Sequence, residues 1–145
     1  MPSRAWVQIA SRQDKPIVEI KREFEEEAFC GYLTFVSDLP RLNALPAGWK
    51  AAFSASGGVY ALTCPKTHEL YIGSAYGAES FFGRWVQYAA DGHGGNIQLK
   101  SRDRSDYQVS ILEVAGSAAT MQDIMAIESR WKDKLQTRQM GLNSN

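Results

Sequence analysis

Gly58-Val-Tyr-Ala-Leu-Thr-Cys64 runs into Pro65-Lys-Thr-His68 and then into Glu69-Leu-Tyr-Ile-Gly73. The two outer runs are rich in β-branched and aromatic residues, and Pro65 opens a four-residue turn between them, so the stretch predicts a β-hairpin. A four-residue loop sets the register: Cys64 faces Glu69, Leu62 faces Tyr71 and Tyr60 faces Gly73. Directly opposed residues share a sheet face, so Tyr60 and Tyr71 project to one side as diagonal neighbours. A slip of one residue would separate them. Strand aromatics usually belong to a core, but Gly73 opposite Tyr60 predicts open space beside that phenol.

Downstream of the hairpin, residues 81–90 have helical spacing and stop at Gly92. Residues 91–106 are polar, carry Gly92, Gly94 and Gly95, and read as a loop. Residues 107–114 (YQVSILEV) predict a third strand. Residues 121–135 are the clearest helix, with Met121, Ile124, Met125, Trp131 and Leu135 on one stripe. Thr120 and Asp123 have capping-box spacing, and Gly141 is a credible stop. Strand, strand, helix, strand, helix makes the fold class α/β (α+β), a small sheet with helices against it.

Upstream, the chain divides near Ser54-Ala-Ser-Gly-Gly58. Residues 1–56 are expected to form an N-terminal accessory segment, and 57–145 the principal domain. The segment predicts short strands at 6–10, 16–21 and 32–36, an acidic solvated run at 22–27, and a short helix at 45–53 with Pro46 in its first turn. The abrupt strand-like start after Met1-Pro-Ser-Arg4 leaves open that the chain is a fragment.

Composition narrows the function classes. At 145 residues, 44% hydrophobic and 22% charged, the chain can bury a core without staples and is not a disordered polymer. No window approaches the roughly 18 apolar residues of a membrane span, and the N-terminus lacks a signal-peptide core. Sixteen Lys+Arg balance sixteen Asp+Glu, so contact with a polyanion must come from local clustering. Two cysteines, Cys30 and Cys64, point to reducing cytoplasm. With only His68 and His93 beside them, a Cys/His zinc site is disfavoured.

Four features depart from an ordinary fold. Glu128 falls on the apolar stripe of the 121–135 helix, where an unpaired carboxylate costs several kcal/mol. It needs either an internal cation such as an arginine or a role as ligand to a hard metal ion, which commonly takes one or two carboxylates. Arg84 and Tyr88, four apart, share a helix face. Arg84 either covers the core with its stem, presents a planar fork to a phosphate, or pairs with Glu128. The phenols Tyr60 and Tyr71 form the third feature. The fourth is Gly92-His-Gly-Gly-Asn96 followed by Lys100, Arg102 and Arg104, a local patch of cations suited to phosphate. No P-loop, Ser-His-Asp set or paired catalytic carboxylates can be assembled. The run Arg130, Lys132, Lys134 and Arg138 reads as a solvated helix face.

Gly58-Val-Tyr60, ten residues, and Tyr71-Ile-Gly73 resemble the paired motif that names the GIY-YIG nucleases. Gly83-Arg84, Tyr88, Glu128 and Asn143 follow in the family's order, so the resemblance covers about residues 57–143. It implies a three-stranded antiparallel sheet flanked by helices. It also implies a DNA endonuclease that hydrolyses phosphodiesters with one divalent cation, Mg²⁺ or Mn²⁺. By matching position, Tyr60 would be general base or water-positioning group, and Tyr71 would hydrogen-bond the phosphate or the attacking water. Arg84 would stabilise the scissile phosphate, Glu128 would be the sole protein ligand of the metal, and Asn143 would support the site. Tyr88 stands where the family carries His or Tyr near the nucleophile. Gly73, His93, Lys100, Arg102 and Arg104 are the expected substrate contacts. Val59 replaces the named isoleucine, and Tyr88 leaves open which group takes the proton.

A phenol of ordinary pKa, ~10, is a poor base at neutral pH. It needs a nearby cation, with Lys66 and Lys100 as candidates, or it only orients water. The competing readings are a catalytically silent nucleic-acid-binding module and a structural domain with an Arg84–Glu128 ion pair. DNA is the expected partner, and no membrane is. The DNA is single-stranded, duplex or branched and the protein a monomer or homodimer; at 145 residues there is little room for a separate recognition domain, so structure-guided or weak sequence selectivity is expected over a long recognition site.

Overall fold

The hairpin has the register its loop length dictates. Strand β2 (Gly58–Cys64) pairs antiparallel with β3 (Glu69–Ala75), placing Cys64 opposite Glu69, Leu62 opposite Tyr71 and Tyr60 opposite Gly73. The structure, a computed structural model, describes residues 28–78, 80–91 and 107–144. Around the hairpin stand β1 (Val36–Asp38), a 3₁₀ helix (Leu39–Ala44), α1 (Ala47–Ser54), α2 (Ser80–Asp91), β4 (Gln108–Val114), α3 (Met121–Leu135) and α4 (Thr137–Met140). The expected strands at 6–10 and 16–21, the acidic run, and the 92–106 part of the loop lie outside the described residues.

The sheet is antiparallel, in the order β1-β4-β2-β3, with four strands rather than three. The extra strand, β1, comes from the upstream segment and pairs Val36 with Ser110. It begins later than the strand expected at 32–36. Tyr32 to Thr34 form a turn after Gly31, which adopts φ 94°, and Tyr32 joins an aromatic cluster instead of a ladder. Phe35 and Phe53 from the same segment pack on Trp85 of α2, at centroid distances of 5.7 and 5.0 Å. Residues 28–56 therefore build part of the core that seats α2.

Strand β2 is buried on both faces, which explains its nearly unbroken apolar run. Tyr60 and Leu62 face the large core under α2, while Val59 and Ala61 face α3. Against them α3 turns Ile127, Trp131 and Leu135. Met121 and Met125, expected on that stripe, are exposed: the inward line follows 124, 127, 131 and 135, and Met125 lies one step off it. The capping box forms as its spacing predicts, with Thr120 and Asp123 exchanging hydrogen bonds. The Thr120 backbone N–H holds the Asp123 carboxyl below its usual pKa. Among the described residues, no helix is long and apolar enough to cross a membrane.

Candidate active site

Two glycines of the paired motif serve the backbone and the packing. Gly58 has φ 153°, and a Cβ there would strike the Glu113 carbonyl, so only glycine lets β2 start against β4. Just after it, a register shift between Val59 and Tyr60 relative to β4 marks a bulge, a device that re-aims side chains. Gly73 lies under the Tyr60 ring: a Cβ would come within 2.6 Å of the ring carbon Cζ and of the hydroxyl. The open space expected beside Tyr60 is thus filled by Tyr60 itself, which is fully buried. Gly73, expected as a substrate contact, is buried too and acts as the seat for that ring.

Helix α2 lays Arg84 and Tyr88 beside this hairpin face. The Tyr60 hydroxyl donates to the Tyr88 hydroxyl at 3.1 Å, and Tyr88 donates to the Tyr71 hydroxyl at 3.3 Å. Arg84 Nη2 donates to the same Tyr88 oxygen at 3.4 Å, and Nη1 donates to Gln87 Oε1 at 2.8 Å. Tyr88 is the hub, accepting twice and donating once. Burial pushes the pKa of Tyr60, Tyr71 and Tyr88 upward, and each is raised further by another phenol of the group. All three therefore stay protonated at neutral pH and act as hydrogen-bond donors and acceptors. Burial works against the Arg84 charge, but the surrounding phenol oxygens outweigh it, and the guanidinium pKa moves up.

Strand β3 lies at the sheet edge, so a cleft there draws side chains from both faces. Tyr71 and Arg84 arrive from the α2 side, and Ser74 and Glu128 from the α3 side. With Tyr76, Gly77 and Ala78 they line a cavity of about 540 Å³. Tyr60 and Tyr88 stand behind that lining.

Glu128 is held on both carboxylate oxygens. Ser74 Oγ donates to Oε1 at 2.6 Å, and Lys132 Nζ approaches Oε2 at 2.9 Å. The internal cation is Lys132, one helical turn on, rather than the arginine that the sequence suggests. Lys132 also corrects the reading of 130–138 as a solvated face: its side chain is 7% exposed against 16% for Glu128. Arg130 and Arg138 do lie on the outside, paired with Glu113 and Asp133. The missed signal is the Glu-to-Lys spacing of four, read together with the 124-128-132 line beside the apolar stripe.

Among the described residues, no three His, Cys, Asp or Glu side chains converge as a metal cluster. Among these residues Glu128, with the Ser74 hydroxyl beside it, is the carboxylate that faces the cleft. One carboxylate suits a hard cation that keeps water and phosphate oxygens as its other ligands, and does not suit zinc.

Asn143 is not in the cleft. Its side-chain amide pairs with the Ile72 backbone, accepting from N and donating to O, both at 2.8 Å. With Leu142 N bonded to Leu70 O at 2.8 Å, the C-terminal segment caps the outer edge of β3. This edge carries Tyr71 and Ser74, so Asn143 sets the position of the cleft wall. Asn143→Ala strands two buried backbone groups, at about 1–3 kcal/mol each, and is expected to lower stability by about 2–4 kcal/mol. Urea denaturation would measure it, and a loss below ~1 kcal/mol would show that other groups hold the edge. Lys66 lies in the exposed hairpin turn. His93, Lys100, Arg102 and Arg104 lie outside the described residues.

A family model described as the GIY-YIG catalytic domain matches residues 56–143. Among solved structures, a mutant form of the catalytic domain of intron endonuclease I-TevI is similar in fold. Its TM-score is 0.53 at 23% identity, covering 62% of this chain and 94% of that one. No curated protein sequence matches.

Proposed function

The chain belongs to the GIY-YIG family, and from that premise we propose that it is a DNA endonuclease that hydrolyses phosphodiester bonds with one divalent cation, Mg²⁺ or Mn²⁺. The supporting observation is the convergence of Arg84, Tyr71 and Glu128 on one cleft. Phosphodiester hydrolysis needs charge neutralisation on the phosphate, a positioned water and help for the leaving oxygen. Arg84 supplies a fixed planar fork for non-bridging oxygens. Tyr71 presents its hydroxyl to the cleft and orients the attacking water or a phosphate oxygen. Tyr60 acts through Tyr88, which fixes both Tyr71 and Arg84, and through its own contact with the Arg84 guanidinium. With three protonated phenols, the cluster orients and donates rather than abstracts. A cation on Glu128 supplies Lewis acidity and charge neutralisation when bound. The absence of a disulfide between Cys30 and Cys64 suits a cytoplasmic setting.

The test is incubation with labelled single-stranded, duplex and branched DNA in Mg²⁺, Mn²⁺ or EDTA. Cleavage in either metal and none in EDTA is the expected result, whereas binding without cleavage would make the chain a silent module. Tyr71→Phe is expected to slow single-turnover cleavage by about 10²-fold, within the range for a positioned proton-transfer or donor group, with affinity in Ca²⁺ near that of the parent. Tyr60→Phe should cost less, because its hydroxyl lies behind the cleft and acts on it through Tyr88 and the Arg84 guanidinium. A larger loss for Tyr60→Phe would reverse the two roles.

A further inference from the structure

A second cavity of about 510 Å³ adjoins the first, and Tyr76 and Gly77 line both. The two differ in chemistry. The first is lined by Arg84 and Glu128, while among the described residues no Lys, Arg, Asp or Glu lines the second. Its walls are Tyr32, Tyr76, three serines (Ser54, Ser56 and Ser117), the apolar Val114 and Ile124, and Gly and Ala between them. With no cation among the described lining residues to meet it, a phosphate would be desolvated there at a cost of several kcal/mol. A neutral planar group finds aromatic and apolar surface with serine side chains beside it instead.

The floor is fixed by backbone. Phe81 N donates to Ser56 O at 3.0 Å, Ala115 N donates to Gly57 O at 2.9 Å, and Gly57 lies so close to the Ala75 carbonyl that a Cβ would strike it. The Tyr32 hydroxyl is bonded to Ala52 O at 3.2 Å, which holds its ring in the wall. Tyr76, on the ridge between the cavities, is 41% exposed.

We propose that the second cavity takes the nucleobase next to the scissile phosphate, with Tyr76 as the ring on which that base stacks. This rests on the nuclease reading of the first cavity and names the substrate it prefers. A base can reach a side cavity only by leaving its stack, which costs a few kcal/mol in an intact duplex and least in a single strand or at a mismatch. The preferred substrate is therefore DNA with an unpaired nucleotide beside the cut. Stacking on aromatic side chains tolerates any base, so the cavity gives structure selectivity without a recognition sequence.

The experiment first maps the cut in Mg²⁺ or Mn²⁺. It then measures affinity in Ca²⁺ for single strands carrying one abasic position on either side of that cut. The parent is expected to lose about 10-fold in affinity at one flanking position, as for loss of one base–aromatic stack. Tyr76→Ala should bind intact and abasic strands alike, and Tyr76→Phe should restore the sensitivity. The parent should also bind a single strand or a mismatched duplex more tightly than the blunt duplex. Parent cleavage with equal tolerance of every abasic position, or a Tyr76→Ala variant as sensitive as the parent, would overturn the base cavity and leave the nuclease reading standing. No binding or cleavage of any DNA by the parent would overturn both.

Discussion

Glu128→Gln is expected to abolish cleavage and to lower stability in the same variant. The first loss follows from the chemistry of the cleft: among the described residues Glu128 is the carboxylate that faces it, and an amide is a poor ligand for a hard cation. The second follows from Lys132. Removing one partner of a buried pair typically costs about 3–5 kcal/mol, because the other charge stays desolvated. Glu128 keeps 16% of its side chain exposed, so about 2–4 kcal/mol is the expected drop. The two effects can be separated. Lys132→Met in the Glu128→Gln background removes the buried ammonium that has lost its carboxylate and should recover part of the stability while leaving cleavage at zero. Lys132→Met alone leaves the carboxylate in place and should keep metal-dependent cleavage. Denaturant unfolding and cleavage in Mg²⁺ decide the matter together. A Glu128→Gln protein that loses stability but still cuts would make Glu128 a structural partner of Lys132, and the cation would have to sit elsewhere.

The Glu128 case also shows where sequence reasoning reaches and where it stops. Strand parity and loop length are local, so the pairing of Tyr60 with Gly73 and of Leu62 with Tyr71 could be read off the hairpin. Helix spacing is equally local, and it puts Arg84 and Tyr88 on one face. What a side chain meets across the fold is not local. Gly73 read as an opening because it lacks a Cβ, yet its neighbour's own ring fills the space. Lys132 read as wet because its neighbours in sequence are charged, whereas helix phase points it inward beside Glu128. Strand β1 is three residues long and has no periodicity of its own. It exists because β4, more than 60 residues later, offers an open edge. Ser74 carried no signal beyond its place one step past Gly73, where strand alternation turns it toward α3.

That upstream contribution bears on catalysis through α2. Phe35 stacks on Trp85 with an interplanar angle of 13°, and Phe53 closes on the same ring, so the accessory segment clamps the residue adjacent to Arg84. The guanidinium is thus held by packing on one side of the helix and by Gln87 and Tyr88 on the other.

Arg84→Lys is expected to be nearly as inactive as Arg84→Ala, with both about 10²–10³-fold slower in single turnover than the parent, the range for losing one preorganised charge stabiliser. Guanidinium carries five N–H donors in a rigid plane, enough to bond Gln87 Oε1 and the Tyr88 oxygen while facing a phosphate across the cleft. An ammonium is a point charge on a flexible stem. It restores the sign of the charge without the geometry, and it cannot keep both anchors and still offer two parallel donors to phosphate oxygens. The Tyr88 hydroxyl would lose one of its two donors, so its bond to Tyr71 should loosen as well. Affinity in Ca²⁺ is expected to fall much less than the rate, since a single phosphate contact is a small part of binding. The comparison needs only the lysine and alanine variants, single-turnover rates and a binding curve. A lysine variant within a few-fold of the parent rate would mean that Arg84 supplies charge alone, and the planar fork would drop out of the mechanism.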